Sequence, residues 1–314
     1  MDKTGFIDYL QEKNFVAGTI NRYTKHIDFF LKHADKEDIQ ITKADVLKHL
    51  EYLKKHRAHQ NSTRSFYLNA LHHYFAFLCK TEQISENPCW WLKIRGTKKK
   101  TLYKIYTPEE LDTLFDNYYT LFVRGYDPFH LPENQRKYAV LGKQRNAVIA
   151  SILIYQGVTT GEVEKIDLED VDIKKATITI QGGRKGTKRV LPLQAAQMGL
   201  LINYLQNTRP QLSEYHTTES NKLFLSLPPL GKKTTAQNEL EHIFRPIANQ
   251  MKSIDKQFLN FKQVRASVIT NWLKAQGLRK AQYLAGHRYI CCTDRYITND
   301  LSGLIDDINT LHPF

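Results

Sequence analysis

The chain has 314 residues, enough for about two domains, and at 41% hydrophobic and 11% aromatic it can bury real cores. Lysine and arginine number 45 against 32 acidic residues, and the resulting +13 favours a polyanionic partner, nucleic acid above all. No apolar run approaches the roughly 20 residues of a spanning helix, and the start Met1-Asp2-Lys3-Thr4-Gly5-Phe6 has no signal-peptide pattern, so a soluble intracellular protein is expected.

The first hundred residues read as helices. Ile20, Tyr23, Ile27, Phe30 and Leu31 recur at helical spacing, with Thr19 placed to cap. Thr42-Lys43-Ala44-Asp45 resembles a capping box ahead of Val46, Leu47, Leu50 and Leu53. Tyr67, Leu71, Tyr74, Phe75 and Leu78 mark a further helix that starts at Asn61, Ser62 or Thr63 and is stopped by Asn87-Pro88. Four or five short helices in one bundle are predicted over residues 1–95. Lys54, Lys55, His56, Arg57, His59 and Arg64 cluster around the turn into the last long helix, whose free N–H groups suit a phosphate. A solvated charged face is the plain reading of such a cluster; the net charge favours contact with a DNA backbone.

Arg95-Gly96-Thr97-Lys98-Lys99-Lys100 belongs to a flexible basic linker over 96–106, with Lys98, Lys99 and Lys100 as further DNA contacts. Thr107-Pro108-Glu109-Glu110 is a strong helix start and opens a second domain, 107–314. That domain is mixed. Arg145 to Gln156 is an apolar helix ending at Gly157; Val171 to Gln181 and Arg189 to Leu193 are strands of a hairpin whose tip, Gly182-Gly183-Arg184-Lys185-Gly186, is basic. Ala195 to Gln206 and Glu239 to Met251 are helical, and Lys222 to Leu227 is a short strand. Val264, Val268 and Trp272 line a helix with Arg265 on an adjacent side, and Asp300 to Leu311 forms a final amphipathic helix. Residues 116–142 carry no assignable pattern. The fold class is therefore mainly α with a small antiparallel sheet.

Cys79, Cys89, Cys291 and Cys292 form no pair of CxxC ligands, so structural zinc is not expected and reduced thiols are. The remaining polar pattern suits a different chemistry. A phosphodiester repels nucleophiles, and in the absence of a metal a protein must surround it with cations and N–H donors. Arginine matches two phosphate oxygens with its rigid fork. The leaving 5′ oxygen needs a proton from lysine or histidine, and a tyrosine nucleophile conserves the bond energy as a phosphotyrosine ester. The last third of the chain offers Arg265, then Ala285-Gly286-His287, then Tyr296 nine positions after the histidine, with Lys185 upstream on the hairpin.

This order and spacing resemble the tyrosine recombinases, the phage integrase family, over nearly the whole chain. The resemblance implies a helical core-binding domain followed by a catalytic domain, with no arm-binding domain ahead of the bundle. It implies Tyr296 as nucleophile, Arg265 as the second arginine of the motif His-x-x-Arg, and His287 as a phosphate donor. Lys185 is the implied general acid, with Arg184 or Lys188 as alternatives when the segment is aligned back from Leu191-Pro192-Leu193. Two positions depart from the pattern. Thr159, in Gly157-Val158-Thr159-Thr160-Gly161-Glu162, stands where the first arginine belongs, and Lys262 stands where the His of His-x-x-Arg belongs. Arg184, Arg288 and Lys262 are the candidates for compensation.

The implied activity is site-specific cleavage and rejoining of double-stranded DNA through a 3′-phosphotyrosine, without cofactor or metal. The altered catalytic pattern suggests a mobile-element integrase, working as a homo-oligomer, a tetramer on two duplexes, in the cytoplasm on the nucleoid. A DNA-binding accessory protein that has lost catalysis is the alternative, and a relaxing type IB topoisomerase shares the chemistry.

Overall fold

Local capping signals set most of the helices. The computed structural model describes residues 2–96, 103–183, 186–228 and 240–297. The chain divides into two units, Met1–Thr101 and Leu102–Phe314.

In the first unit Asp2 caps α1 (Lys3–Glu12) by accepting from the Gly5 N–H. The helix α2 spans Ala17–Ala34 and α3 spans Lys43–Lys55. The Thr42 box is present: Thr42 N–H donates to Asp45 Oδ2 at 2.9 Å, and the Asp45 N–H returns to Thr42 Oγ1 at 3.4 Å. The helix α4 covers Asn61–Lys80. One face of each helix is apolar, and Phe6, Leu10, Ile27, Phe30, Leu53 and Phe75 are buried together.

Two boundaries differ from the sequence reading. Thr19 lies inside α2, which starts at Ala17 behind an uncapped Val16, because a left-handed Asn14 (φ 58°) restarts the chain earlier. The helix α4 ends at Lys80 and not at Asn87-Pro88. A left-handed Glu82 (φ 56°) turns the chain there, and the Gln83 N–H closes back on the Leu78 carbonyl at 2.9 Å. Asn87 instead folds the following segment onto α4 by donating to the His72 carbonyl.

In the second unit Thr107 caps α5 (Pro108–Tyr119) as expected, and Glu110 returns the bond to make the cap reciprocal. Tyr106, assigned to the linker by sequence, is buried, with its N–H on Ser267 Oγ at 2.9 Å. A π turn over Thr120–Arg124 and the long α6 (Glu133–Tyr155) account for much of the stretch that carried no pattern. A four-residue helix, α7 (Thr160–Val163), follows Gly157.

The sheet has three antiparallel strands in the order β1 (Val171–Asp172), β2 (Thr177–Ile180), β3 (Arg189–Pro192). The single strand expected over 171–181 is broken in two by a turn with Ala176 left-handed (φ 50°). Ile180 pairs with Arg189 and Thr177 with Pro192. Ile178, Ile180 and Leu191 point inward, as strand alternation requires, and Arg189 shares their side.

The helix α8 (Ala195–Asn203) runs through a π turn into α9 (Arg209–Ser213). Lys222–Leu227 is no strand; it makes one bridge, Lys222 to Asp167, at a segment hydrogen-bonded on both sides of that pair. The helices α10 (Glu241–Ile254) and α11 (Phe261–Ala285) follow, α11 kinked at Gly277 (φ 76°), and then the short α12 (Ile290–Asp294). Ile149, Ile152, Ile178, Leu191, Val264 and Val268 share the core. The amphipathic segment Asp300 to Leu311 lies outside the described residues.

Candidate active site

The buried face of α11 sets the position of Arg265. Val264 and Val268 are in the core, so the next residue after Val264 lies at the edge of that face, half-buried. Asn260 caps the helix through the Lys262 and Gln263 N–H groups. Arg265 Nη1 donates to the Gly157 carbonyl at 2.7 Å and Nη2 to the Ala285 carbonyl at 2.8 Å. These two bonds fix the guanidinium between the ends of α6 and α11.

The helix α11 ends at Gly286, whose left-handed backbone (φ 68°) turns the chain and presents His287. His287 Nε2 lies 3.4 Å from Arg265 Nη2, and Nδ1 lies 2.8 Å from Thr293 Oγ1. Thr293 is fully buried on α12. One turn later the half-buried Tyr296 lays its ring nearly parallel to that of His287, 5.7 Å away at 16°. Arg265, His287 and Tyr296, spread over 32 positions of sequence, thus share one place.

The position of the missing arginine has a local structural job. Thr159 caps α7: its hydroxyl accepts from the Glu162 N–H at 3.2 Å, and its N–H and hydroxyl both reach Glu162 Oε2, at 2.8 and 3.0 Å. The other oxygen of Glu162 meets Arg189 Nη1 at 2.7 Å, and Arg265 Nη1 is 3.7 Å from the carboxylate. Sequence analysis did not single out Arg189 or Thr293. The available signal was strand phase, since Arg189 is two residues before the inward Leu191.

The other candidates fall in different places. Lys185 and Arg184 lie outside the described residues, as do Lys98, Lys99 and Lys100. The described rim of that hairpin loop is tied to the site: the Thr187 N–H donates to the Gly286 carbonyl at 3.0 Å, and Gly186 bridges to His287. Lys188, Lys262 and Arg288 are exposed. In the first unit Lys55 pairs with Glu51 at 2.7 Å, and the Arg57 guanidinium sits 5.5 Å over the Phe29 ring. Arg64 Nε holds the Leu50 carbonyl at 3.0 Å and so ties α4 to α3. With Lys54, Lys93 and Arg95 it lines a cleft of about 320 Å³. No group of three or more histidine, cysteine or acidic side chains suited to a metal occurs among the described residues. Nor is any described helix long and apolar enough to cross a membrane.

Electrostatics follow from this packing. Burial pushes His287 down to about 4, with the charges of Arg265 and Arg189 adding to it against Glu162, so the imidazole is neutral at neutral pH. Burial also lowers Arg265, which Glu162 and then Tyr296 pull back. Burial raises the Glu162 carboxyl, but the hydrogen bond and charge of Arg189, the Thr159 N–H and Arg265 outweigh it and keep it ionised.

The pattern of the phage integrase family matches residues 134–302, and that of the phage integrase N-terminal SAM-like domain matches residues 4–82.

The chain belongs to the phage integrase family.

As tyrosine recombinases, members of this family cleave and rejoin DNA. Among curated relatives, a tyrosine recombinase XerC of Anoxybacillus flavithermus is 28% identical over 94% of this chain and 92% of its own. The TnP I resolvase of Bacillus thuringiensis is 24% identical, over 93% of each. Among solved structures, a XerH recombinase in a pre-cleavage complex with difH aligns with TM-score 0.66 at 16% identity, over 97% of this chain and 84% of that one. The Tn1549 transposon integrase bound to a circular intermediate DNA aligns with TM-score 0.61 at 13% identity, over 94% of each. The likeness of fold thus extends over both units of this tyrosine recombinase.

Proposed function

We propose that this protein is a site-specific DNA recombinase in which Tyr296 is the nucleophile. The observation that carries the reading is the meeting of Arg265, His287 and Tyr296 in one place. In the reaction the Tyr296 oxygen bonds to the scissile phosphorus and the bond to the 5′ oxygen breaks, leaving a 3′-phosphotyrosine and a 5′ hydroxyl. Arg265 neutralises the non-bridging oxygens, and neutral His287 donates one hydrogen bond to them. Lys185 protonates the departing oxygen, and Lys262 adds a cation one turn before Arg265. The reverse attack by a 5′ hydroxyl rejoins strands without ATP.

The duplex is gripped in part by the first unit, through Lys54, Lys55, Arg57, Arg64 and the N-terminus of α4, where Gln60 leaves the end without a side-chain cap. Lys98, Lys99 and Lys100 extend the basic surface. The assembly proposed is a tetramer on two duplexes, formed in the cytoplasm on nucleoid DNA. Relatives named tyrosine recombinase XerC and TnP I resolvase are 28% and 24% identical. The altered pattern at Thr159 and Lys262 favours the mobile-element role.

The test uses a duplex selected by the protein from a random pool and then nicked beside the cut, so that cleavage loses a short product and cannot reverse. The expected outcome is a detergent-resistant adduct that Tyr296→Phe abolishes while DNA affinity is retained. Thr159 favours a second reading, an accessory protein that binds without cutting. Selective binding with no adduct at any position of the selected duplex would establish it in place of the first.

A further inference from the structure

The recombinase reading leaves one guanidinium at the site without a task. Arg189 opens β3, turned inward, with its side chain 1% exposed. Nη1 is held by Glu162, while Nε and Nη2 have no hydrogen-bond partner among the described residues and are out of reach of solvent. A buried ion with two unpaired donors is costly and persists only where something else depends on it. Its neighbour is the turn that presents His287. A Cβ on Gly286 would lie 2.4 Å from Arg189 Nη1 and 2.9 Å from Cζ, so glycine is what lets the turn rest on the guanidinium.

The charges around this point do not cancel. Arg189 and Arg265 supply two positive charges, Glu162 one negative, and His287 is neutral, leaving 2 − 1 = +1 beside His287. Without Arg189 the remaining Arg265 and Glu162 would sum to zero, at the place where a phosphate must acquire further negative charge. Position 159 adds no charge, since Thr159 closes a helix cap; Lys262 and Arg288 are exposed, and Arg184 lies outside the described residues.

We propose that Arg189 takes over the electrostatic duty of the arginine absent at position 159. It is a positioning residue: its buried charge, held by Glu162, underlies the Gly286–His287 turn and offsets the negative charge that grows on the scissile phosphate. The inference rests on the recombinase reading.

A charge-neutral scissile group tests it. Replacing one non-bridging oxygen by methyl removes the charge that a cation must offset, and leaves any purely architectural role untouched. The nicked duplex is prepared with a phosphate or a methylphosphonate at the cut. It is given to wild-type protein and to Arg189→Met, which leaves Arg265 and Glu162 summing to zero. This variant is expected to lose about 100-fold or more in adduct formation on phosphate. At least about tenfold of that loss should return on methylphosphonate. The ratio of the two rates within one preparation is independent of how much of it is folded. Arg189→Gln, which keeps a donor toward Glu162, should show the same partial return, and Arg189→Lys, which keeps the charge, should keep the wild-type ratio. Arg189→Met or Arg189→Gln cutting phosphate at the wild-type rate overturns the proposal, and so does an equal loss on both backbones. Absence of an adduct with wild-type protein would instead overturn the recombinase reading, and this inference with it.

Discussion

Two threonines at the site put the same hydroxyl to different uses. Thr159 closes a local cap with Glu162, whereas Thr293 holds His287 Nδ1 from another helix. An imidazole bonded at one nitrogen is fixed in both orientation and tautomer. Thr293→Val, of nearly equal shape, should therefore slow adduct formation by about tenfold or more, and Thr293→Ser should not. Arg265 has a stricter geometry, with two carbonyls on one fork. Arg265→Lys is expected to cost about 100- to 1000-fold in single-turnover cleavage with little change in DNA affinity. With His287 held at about 4, below its ordinary 6.5, it stays neutral as pH falls through 6.5. Cleavage measured at sub-saturating duplex should then show no acid limb near 6.5 from this residue; a limb there that His287→Gln removes would contradict the assignment. The identities of Tyr296, Arg265 and His287 were legible from order and spacing. Arg189 was not: its phase matches that of Leu191, but an arginine at the end of a strand beside a basic loop does not show which buried acid it will meet.

At the scale of elements, the boundaries written in short-range chemistry were the legible ones. Thr42 with Asp45 and Thr107 with Glu110 cap as the sequence predicts, since each box needs only residues three apart. Thr42→Ala should cost the first unit about 1 kcal/mol, seen as a lower urea midpoint. The break between β1 and β2 and the end of α4 were missed, because each depends on a left-handed Ala176 or Glu82 that no glycine announces. Gly286 joins both kinds of reasoning. Its positive φ alone costs another residue about 1–2 kcal/mol, and a Cβ there would meet Arg189. Gly286→Ala is predicted to lower the melting temperature by several degrees, at about 2–4 °C per kcal/mol. It should also slow cleavage, since it moves the turn that carries His287.

For the whole molecule, charge and burial make two further expectations. The net +13 predicts DNA affinity that falls steeply with salt. If Lys54 and Arg57 each touch a phosphate, changing either to Gln should flatten the log–log salt slope by about one. His49 is 1% exposed, with neither ring nitrogen hydrogen-bonded, among Phe29, Phe30, His33, Tyr52 and Tyr67. Burial, then His33 and His26, hold it at about 4. The unfolded chain, with histidine near 6.5, takes up the proton first. The stability that His49 contributes is thus complete above 6.5 and declines as pH falls from there toward 4. Urea midpoints at pH 7.5 and pH 5 should show this decline, weakened in His49→Leu but not removed, since burial lowers His26 and His73 as well. Taken by itself, the sequence determined the family, the mainly helical class and three of the side chains at the site. Those follow from residue identity, order and periods of a few positions. The tertiary structure alone decided that Arg189 lies beneath His287 and is paired with Glu162, 27 positions away. Only it decided that Arg265 is anchored to a carbonyl 108 positions distant. Such pairs form because packing brings separate elements together, and no pattern along the chain records which buried charge will meet which partner.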